Sequence, residues 1–322
     1  MNTTYCNGVL RPIPFTADLR SLYITLCIVN GFFSVIITVT NALIVLSMHK
    51  AASIRGSPSF LLIFTLALSD LGVGLIAEPL YIAARVAELQ NSTGMFCPLS
   101  VAYNVAVVCL SGFSFLIITA ISFDRFLAIC LCMKYRSTVT RKRTTTAAVI
   151  LMVIASLWAV SVAFSLTLTF YLSLFIMPSC IFVTTFNYLN ISRMLKKQGK
   201  KFHEMGTENN QEIRIQKDAV DFDRYKHILN TVMFIYVAFL VSYLPYFSYL
   251  IARRLLGDTL VIHTARHVTA SIIFLNSCLN PAFYFWRIPE IRKAVIRLVQ
   301  RNSFNSVTEG KSATLRQLKP VM

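Results

Sequence analysis

Seven stretches of this 322-residue chain are apolar over the length of a bilayer crossing, and that pattern leaves few folds open. They run over roughly 22–48, 59–82, 99–130, 144–166, 168–192, 227–252 and 265–286. A helix that crosses the hydrocarbon core needs about 20 residues and satisfies its backbone hydrogen bonds internally. Charged residues make up only 14% of the chain, against about a quarter in a soluble domain, and they gather in the links between the stretches. The expectation is an all-α bundle of seven transmembrane helices.

The chain carries a formal net charge of +17, and its placement is more informative than its size. Of the 31 Lys and Arg residues, 25 fall on one side of the membrane or at its face. The other side holds Arg11, Arg20, Arg85, Arg253, Arg254 and Arg266. The positive-inside bias puts the rich side in the cytosol and the amino end outside. Basic loops held against anionic headgroups account for the charge, so nucleic acid is not called for. Residues 1–20 lack the apolar core of a cleavable signal, and the first span is expected to insert itself. The expected division is a 1–21 extracellular N-terminus, a 22–286 transmembrane domain, a 287–302 amphipathic helix and a 303–322 cytoplasmic tail.

That amphipathic helix is read from Ile288, Ile291, Val295, Leu298 and Val299, with Arg292, Lys293 and Arg297 on the other face. Pro289 suits its first turn, and it is expected to lie along the inner leaflet. Asn2 and Asn91 each begin an N-glycosylation sequon on the expected outer side, a pattern that also arises by chance. The eight cysteines show no metal-ligand spacing, and most sit in apolar runs as small hydrophobes.

Ionisable groups at bilayer depth are costly and usually functional. Asp70 lies midway along span two, Glu78 lies nearer its outer end, and Asp124-Arg125 lie near the inner end of span three. Around them stand Asn41 in span one, Leu66-Ala67-Leu68-Ser69-Asp70 in span two, Asp124-Arg125-Phe126 in span three, Trp158 in span four and Pro178 in span five. Span six reads Phe239-Leu-Val-Ser242-Tyr243-Leu-Pro245, and span seven reads Asn280-Pro281-Ala282-Phe283-Tyr284. In this order, each in its own span, they resemble the motifs of the rhodopsin-like (class A) G-protein-coupled receptors over about residues 30–300. The run from Phe126 to Tyr135 is similar to runs in orphan invertebrate receptors.

The resemblance implies binding of an extracellular ligand, activation of a heterotrimeric G protein, and no enzymatic activity. Asp124 would hold Arg125 until activation releases it, with Phe239, Tyr243, Pro245, Asn280, Pro281 and Tyr284 as the moving parts. Phe115, Pro178 and Phe239 resemble the family's core trio. Many members add an acid at the start of span six as a second partner for the arginine. The matching position is Tyr225, beside Lys226, so high agonist-free activity is expected. Asp70, Ser114, Asn276, Ser277 and Asn280 match the family's buried sodium site; the alternative is a hydrated polar cluster around Asp70. No other cofactor is implied.

Val107 stands where amine receptors of this family carry Asp, which speaks against a biogenic amine. Phe274 stands where visual pigments carry the Schiff-base Lys, and span seven has no Lys, which excludes retinal. The ligand-pocket candidates are Glu78, Tyr103, Asn104, Val107, Tyr246, Tyr249 and His267. Glu78 either meets a cationic group of the ligand or pairs with Arg85 or Arg266.

From Thr144 to Ser192 there are 49 positions without a charge, and two crossings leave only a tight turn near Ser165–Thr169. The family places a longer loop there, with a Cys bonded to span three. That loop Cys does not exist here, as in melanocortin- and cannabinoid-type receptors. Cys6 and Cys97 either pair in its stead or remain free thiols. So short a turn is either the native connection or the trace of a missing segment. Beside the receptor stand two other readings: a receptor-like protein with lost or constitutive signalling, and a transporter. A transporter would call for internal repeats or a line of intramembrane charges.

Overall fold

The computed structural model describes residues 5–6, 9–10, 17–51, 56–90, 92–131, 134–205, 236–257 and 259–300. Apart from a two-residue strand pair, Tyr5–Cys6 against Val9–Leu10, these residues form helices and short links. Helix α1 spans Ala17–Lys50. The second crossing is composite, with α2 (Pro58–Gly72), a π turn (Val73–Ala77) and α3 (Glu78–Leu89). There follow α4 (Thr93–Leu131), the short α5 (Tyr135–Thr138), α6 (Arg141–Phe164) and α7 (Leu166–Met205). Helices α8 and α10 cover 236–256 and 289–300, with α9 (Leu260–Arg287) between them.

Six described helical segments are long and apolar enough to cross a membrane. Helix α8 covers the predicted span 227–252 from residue 236, where the described part begins, and continues to 256. Several helices overrun the apolar runs: α1 begins at Ala17, α4 at Thr93 and α9 at Leu260. Hydropathy marks only the part of a helix that meets lipid, whereas its hydrogen-bond ladder continues into the polar margin.

Helix α4 packs against α2, α3, α6 and α7, and α1 packs against the second crossing and α9. Large apolar side chains face both ways. Leu66, Phe115, Ile117 and Phe239 are buried at the centre, while Phe32, Leu157, Phe175, Phe182 and Val241 lie exposed on the outside. So much outward apolar surface would drive aggregation in water, and it fits a lipid surround.

The π turn is absent from the expectation, which read span two as one uninterrupted helix. It lets α2 and α3 differ in the faces they present, and Ser34 Oγ donates to the Gly74 carbonyl at 2.7 Å. A Cβ on Gly74 would stand 2.7 Å from Thr38 Oγ1 and 3.0 Å from the Thr38 backbone nitrogen, so α1 crosses here against bare backbone.

The expected turn between spans four and five contracts to Ser165. Its backbone N–H closes α6 on the Ser161 carbonyl at 2.8 Å, and its Oγ accepts from the Leu168 N–H at 3.3 Å to open α7. Helix α8 ends at Gly257, whose φ of 73° is the left-handed conformation that closes helices. In α10, which Pro289 begins, Ile291 and Leu298 are buried, while Val295 and Ile288, just before the helix, pack against the bundle core. Val299, expected on the same stripe, is exposed instead.

Candidate functional site

Asp124 and Arg125 lie near the carboxyl end of α4. The Asp124 carboxylate is buried and accepts three hydrogen bonds: from Arg125 Nη2 at 2.7 Å, Ser59 Oγ at 2.8 Å and the Tyr135 hydroxyl at 2.6 Å. Ser59 and Tyr135 also touch each other at 3.1 Å. Burial, with the bond to Asp124, pushes the Tyr135 phenol above its ordinary value, so it stays a protonated donor. The Arg125 side chain keeps 26% of its surface exposed against 5% for Asp124. The result is a caged carboxylate holding a cation at the rim. Ser59 and Tyr135 went unrecognised in the sequence, where a serine at a helix start and a tyrosine in a basic link carry no special signal. Tyr225 and Lys226, the expected missing second lock, lie outside the described residues.

In mid-bundle, Asp70 is fully buried. Ser114 Oγ and Ser277 Oγ donate to its Oδ1 at 2.9 and 2.8 Å, and Asn280 Nδ2 donates to its Oδ2 at 2.8 Å. Asn276 is buried on the same helix as Ser277, and its Nδ2 has no partner among the described residues. Asn41 Nδ2 reaches the Ser277 carbonyl at 3.2 Å and ties α1 to the group. The Asp70 carboxylate and the Ser114 and Ser277 hydroxyl oxygens are hard donors of the kind a monovalent cation takes, while Asn280 faces them with its amide nitrogen. Among the described residues no three His, Cys, Asp or Glu side chains come together, as a more demanding metal would require.

Above this group Phe115 and Phe239 stack with ring centroids 4.7 Å apart, and Tyr243 closes on them at 4.8 and 5.2 Å. The Tyr243 hydroxyl donates to the Ser111 carbonyl at 3.3 Å. Pro245 lies in α8, Pro178 in α7 and Pro281 in α9, each removing a rung from its helix ladder. Tyr284 is buried, one turn beyond Asn280.

Phe115 and Tyr243 also line a cavity of about 410 Å³ at the bundle end opposite Arg125. Of the expected pocket residues, Tyr103, Asn104, Val107, Tyr246 and Tyr249 line it; Glu78 and His267 stand apart. Glu78 is fully buried beyond the π turn, and its oxygens have no hydrogen-bond partner among the described residues. The alternative pairings for Glu78 are not formed: Arg85 pairs with Glu88, and Arg266 Nη2 donates to Asn104 Oδ1 at 3.0 Å. His267 belongs to a second cluster, where Arg85 Nη1 lies 3.3 Å from its Nε2 and the Tyr23 hydroxyl lies 3.0 Å from His263 Nδ1.

Sequence reasoning also missed Arg253, Arg254 and Arg266 as cavity residues. Cys97 is disulfide-bonded, while the Cys6 side chain, Asn2 and Asn91 lie outside the described residues.

Residues 40–173 and 159–284 match the family described as 7 transmembrane receptor (rhodopsin family), the two matches overlapping across the α6–α7 turn. The trace amine-associated receptor 7e of Rattus norvegicus is 25% identical, over 89% of this chain and 84% of that receptor. The histamine H2 receptor of Homo sapiens is 23% identical, over 94% and 88%. In fold the chain is similar to squid rhodopsin, with a TM-score of 0.70 at 17% identity over 88% of this chain and 87% of that one. With the family matched from residue 40 to 284, its motifs lodged in successive helices and lipid-facing apolar surface all round, the chain belongs to the rhodopsin family of seven-transmembrane receptors: it is a multi-pass membrane protein and a G-protein-coupled receptor, not an enzyme.

Proposed function

We propose that this receptor sits in the plasma membrane with its amino end outside. It takes an extracellular ligand into the cavity of Tyr103, Tyr246 and Tyr249, and engages a heterotrimeric G protein through Arg125. The single observation that carries this reading is the route between the two ends. A small-molecule-sized cavity rests on Phe115 and Tyr243, which pack on Phe239, and the bundle ends at a caged, part-exposed arginine. The lysine and arginine bias supports the orientation. With that orientation α10 would lie at the inner leaflet and Asn2 and Asn91 would be outer glycosylation sites, and Cys6 is the proposed partner of the disulfide-bonded Cys97. The division at 1–21, 22–286, 287–302 and 303–322 follows from the same orientation.

The names of the relatives raise an amine as the alternative ligand. Against it, Val107 lines the cavity where amine receptors carry Asp, and no Asp or Glu is among the described lining residues. Phe274, fully buried, occupies the Schiff-base position of visual pigments.

With Tyr225 in place of a second acidic lock, the purified receptor is expected to stimulate nucleotide exchange on a G-protein heterotrimer without agonist. Arg125→Ala is expected to abolish that stimulation. Equal, background-level exchange from both proteins, across several G-protein subtypes, would overturn the assignment.

Asp70 is proposed to hold sodium together with Ser114, Asn276, Ser277 and Asn280. Sodium chloride, compared with the choline salt at equal ionic strength, is expected to raise the unfolding temperature, and Asp70→Asn to remove the difference. A sodium effect that survives Asp70→Asn would place the ion elsewhere.

A further inference from the structure

The cavity has an unusual charge balance for a family whose named relatives here are histamine and trace amine receptors. Its described lining brings together Arg253, Arg254 and Arg266 and includes no carboxylate. Arg266 extends from the first turns of α9 to Asn104 Oδ1, a neutral amide that orients the guanidinium without neutralising it. A guanidinium carries five N–H donors, so most of its capacity stays available to a ligand. Of the acids nearby, Glu88 pairs with Arg85 and is also within electrostatic reach of Arg266, Glu78 does not line the cavity, and Asp258 lies outside the described residues.

The rest of the lining is apolar or aromatic. Trp158, Val162, Phe170 and Met177 line it from α6 and α7, and Tyr103 and Tyr246 from α4 and α8. At about 410 Å³ the cavity falls among the small-molecule sites, which span about 300–1,000 Å³. A cationic ligand would meet like charge in a low-dielectric setting, whereas an anion would gain charge-assisted, bidentate bonds there.

We propose that the cavity binds a small amphipathic anion, an apolar or aromatic body ending in a carboxylate, whose head is held by Arg266 and Arg254 and whose body lies against Trp158 and Phe170. The inference rests on the receptor reading for the direction of ligand entry, but not for the binding itself. Interfacial arginines also meet phospholipid headgroups, and the exposed Arg254 is placed for that. The two sources of an anion are separable.

The test uses the full-length receptor in phosphatidylcholine nanodiscs. Its probes are carboxylates of graded chain length and aromatic content, each matched with the amine and alcohol of the same skeleton. Carboxylates are expected to raise the unfolding temperature while their amine and alcohol partners do not. Arg266→Gln, and separately Arg254→Gln, are expected to weaken carboxylate binding by about tenfold or more. Arg254 is exposed, so its variant folds even where loss of the Asn104 contact harms the other. The proposal is overturned if amines stabilise as well as carboxylates, if no carboxylate acts, or if binding survives both substitutions. It is equally overturned if phosphatidylglycerol discs alone give the arginine-dependent shift, since the arginines would then serve lipid. Nucleotide exchange is read in parallel. Carboxylate binding without exchange would defeat the signalling role of Arg125 and leave the cavity assignment standing, and an amine agonist would do the reverse.

Discussion

Asp124→Asn is expected to raise agonist-free nucleotide exchange toward its ceiling, well beyond what any other substitution at the Arg125 end should produce. The carboxylate accepts from Arg125, Ser59 and Tyr135 within 2.6–2.8 Å, and hydrogen bonds to a charged group contribute about 1.5–3 kcal/mol each. An amide retains one acceptor oxygen and loses the charge that restrains the guanidinium. A bias of about 1.4 kcal/mol toward the released state is already tenfold in the ratio of released to held receptor. Tyr135→Phe removes a single donor and should give a smaller rise in the same direction. Exchange measured at matched receptor concentration settles the matter. An Asp124→Asn receptor that reaches the surface and is no more active than the parent would show that the cage does not restrain the switch.

The second large effect is structural. Gly74→Leu should abolish the yield of folded receptor, and Gly74→Ala should lower its unfolding temperature. The added Cβ alone would stand 2.7 Å from Thr38 Oγ1 and 3.0 Å from the Thr38 backbone nitrogen, and backbone cannot swing aside as a side-chain tip can. Overpacking in well-packed interiors costs about 1–3 kcal/mol and sometimes more. Here it would also disturb the bond from Ser34 to the Gly74 carbonyl, leaving a buried oxygen unpaired. Gly94→Leu is the control, because nothing lies within 4 Å of a Cβ at that position. Equal recovery and melting of the Gly74→Leu and Gly94→Leu receptors would show that α1 does not depend on bare backbone at this crossing.

What was legible in the chain is what depends on neighbouring residues alone. Bilayer-length apolar runs dictate crossings because lipid accepts no unpaired backbone, so seven helices and their order follow from hydropathy. Asp70, Asp124-Arg125 and Asn280 to Tyr284 stand out because polar groups at that depth are costly. The contraction of the α6–α7 connection to Ser165 was likewise visible in the 49 uncharged positions from Thr144 to Ser192.

The remainder depended on how the helices pack, because no local pattern records which faces of distant helices will meet. Glu78 follows the π turn and does not line the cavity that its depth in span two had suggested. Ser59 and Tyr135 reach Asp124 across 65 and 11 positions of sequence, and each looks ordinary where it stands. Arg253, Arg254 and Arg266 read along the chain as margin arginines marking the poorly basic side. Only the approach of α8 and α9 to α4 brings them to one space and gives the cavity its positive charge.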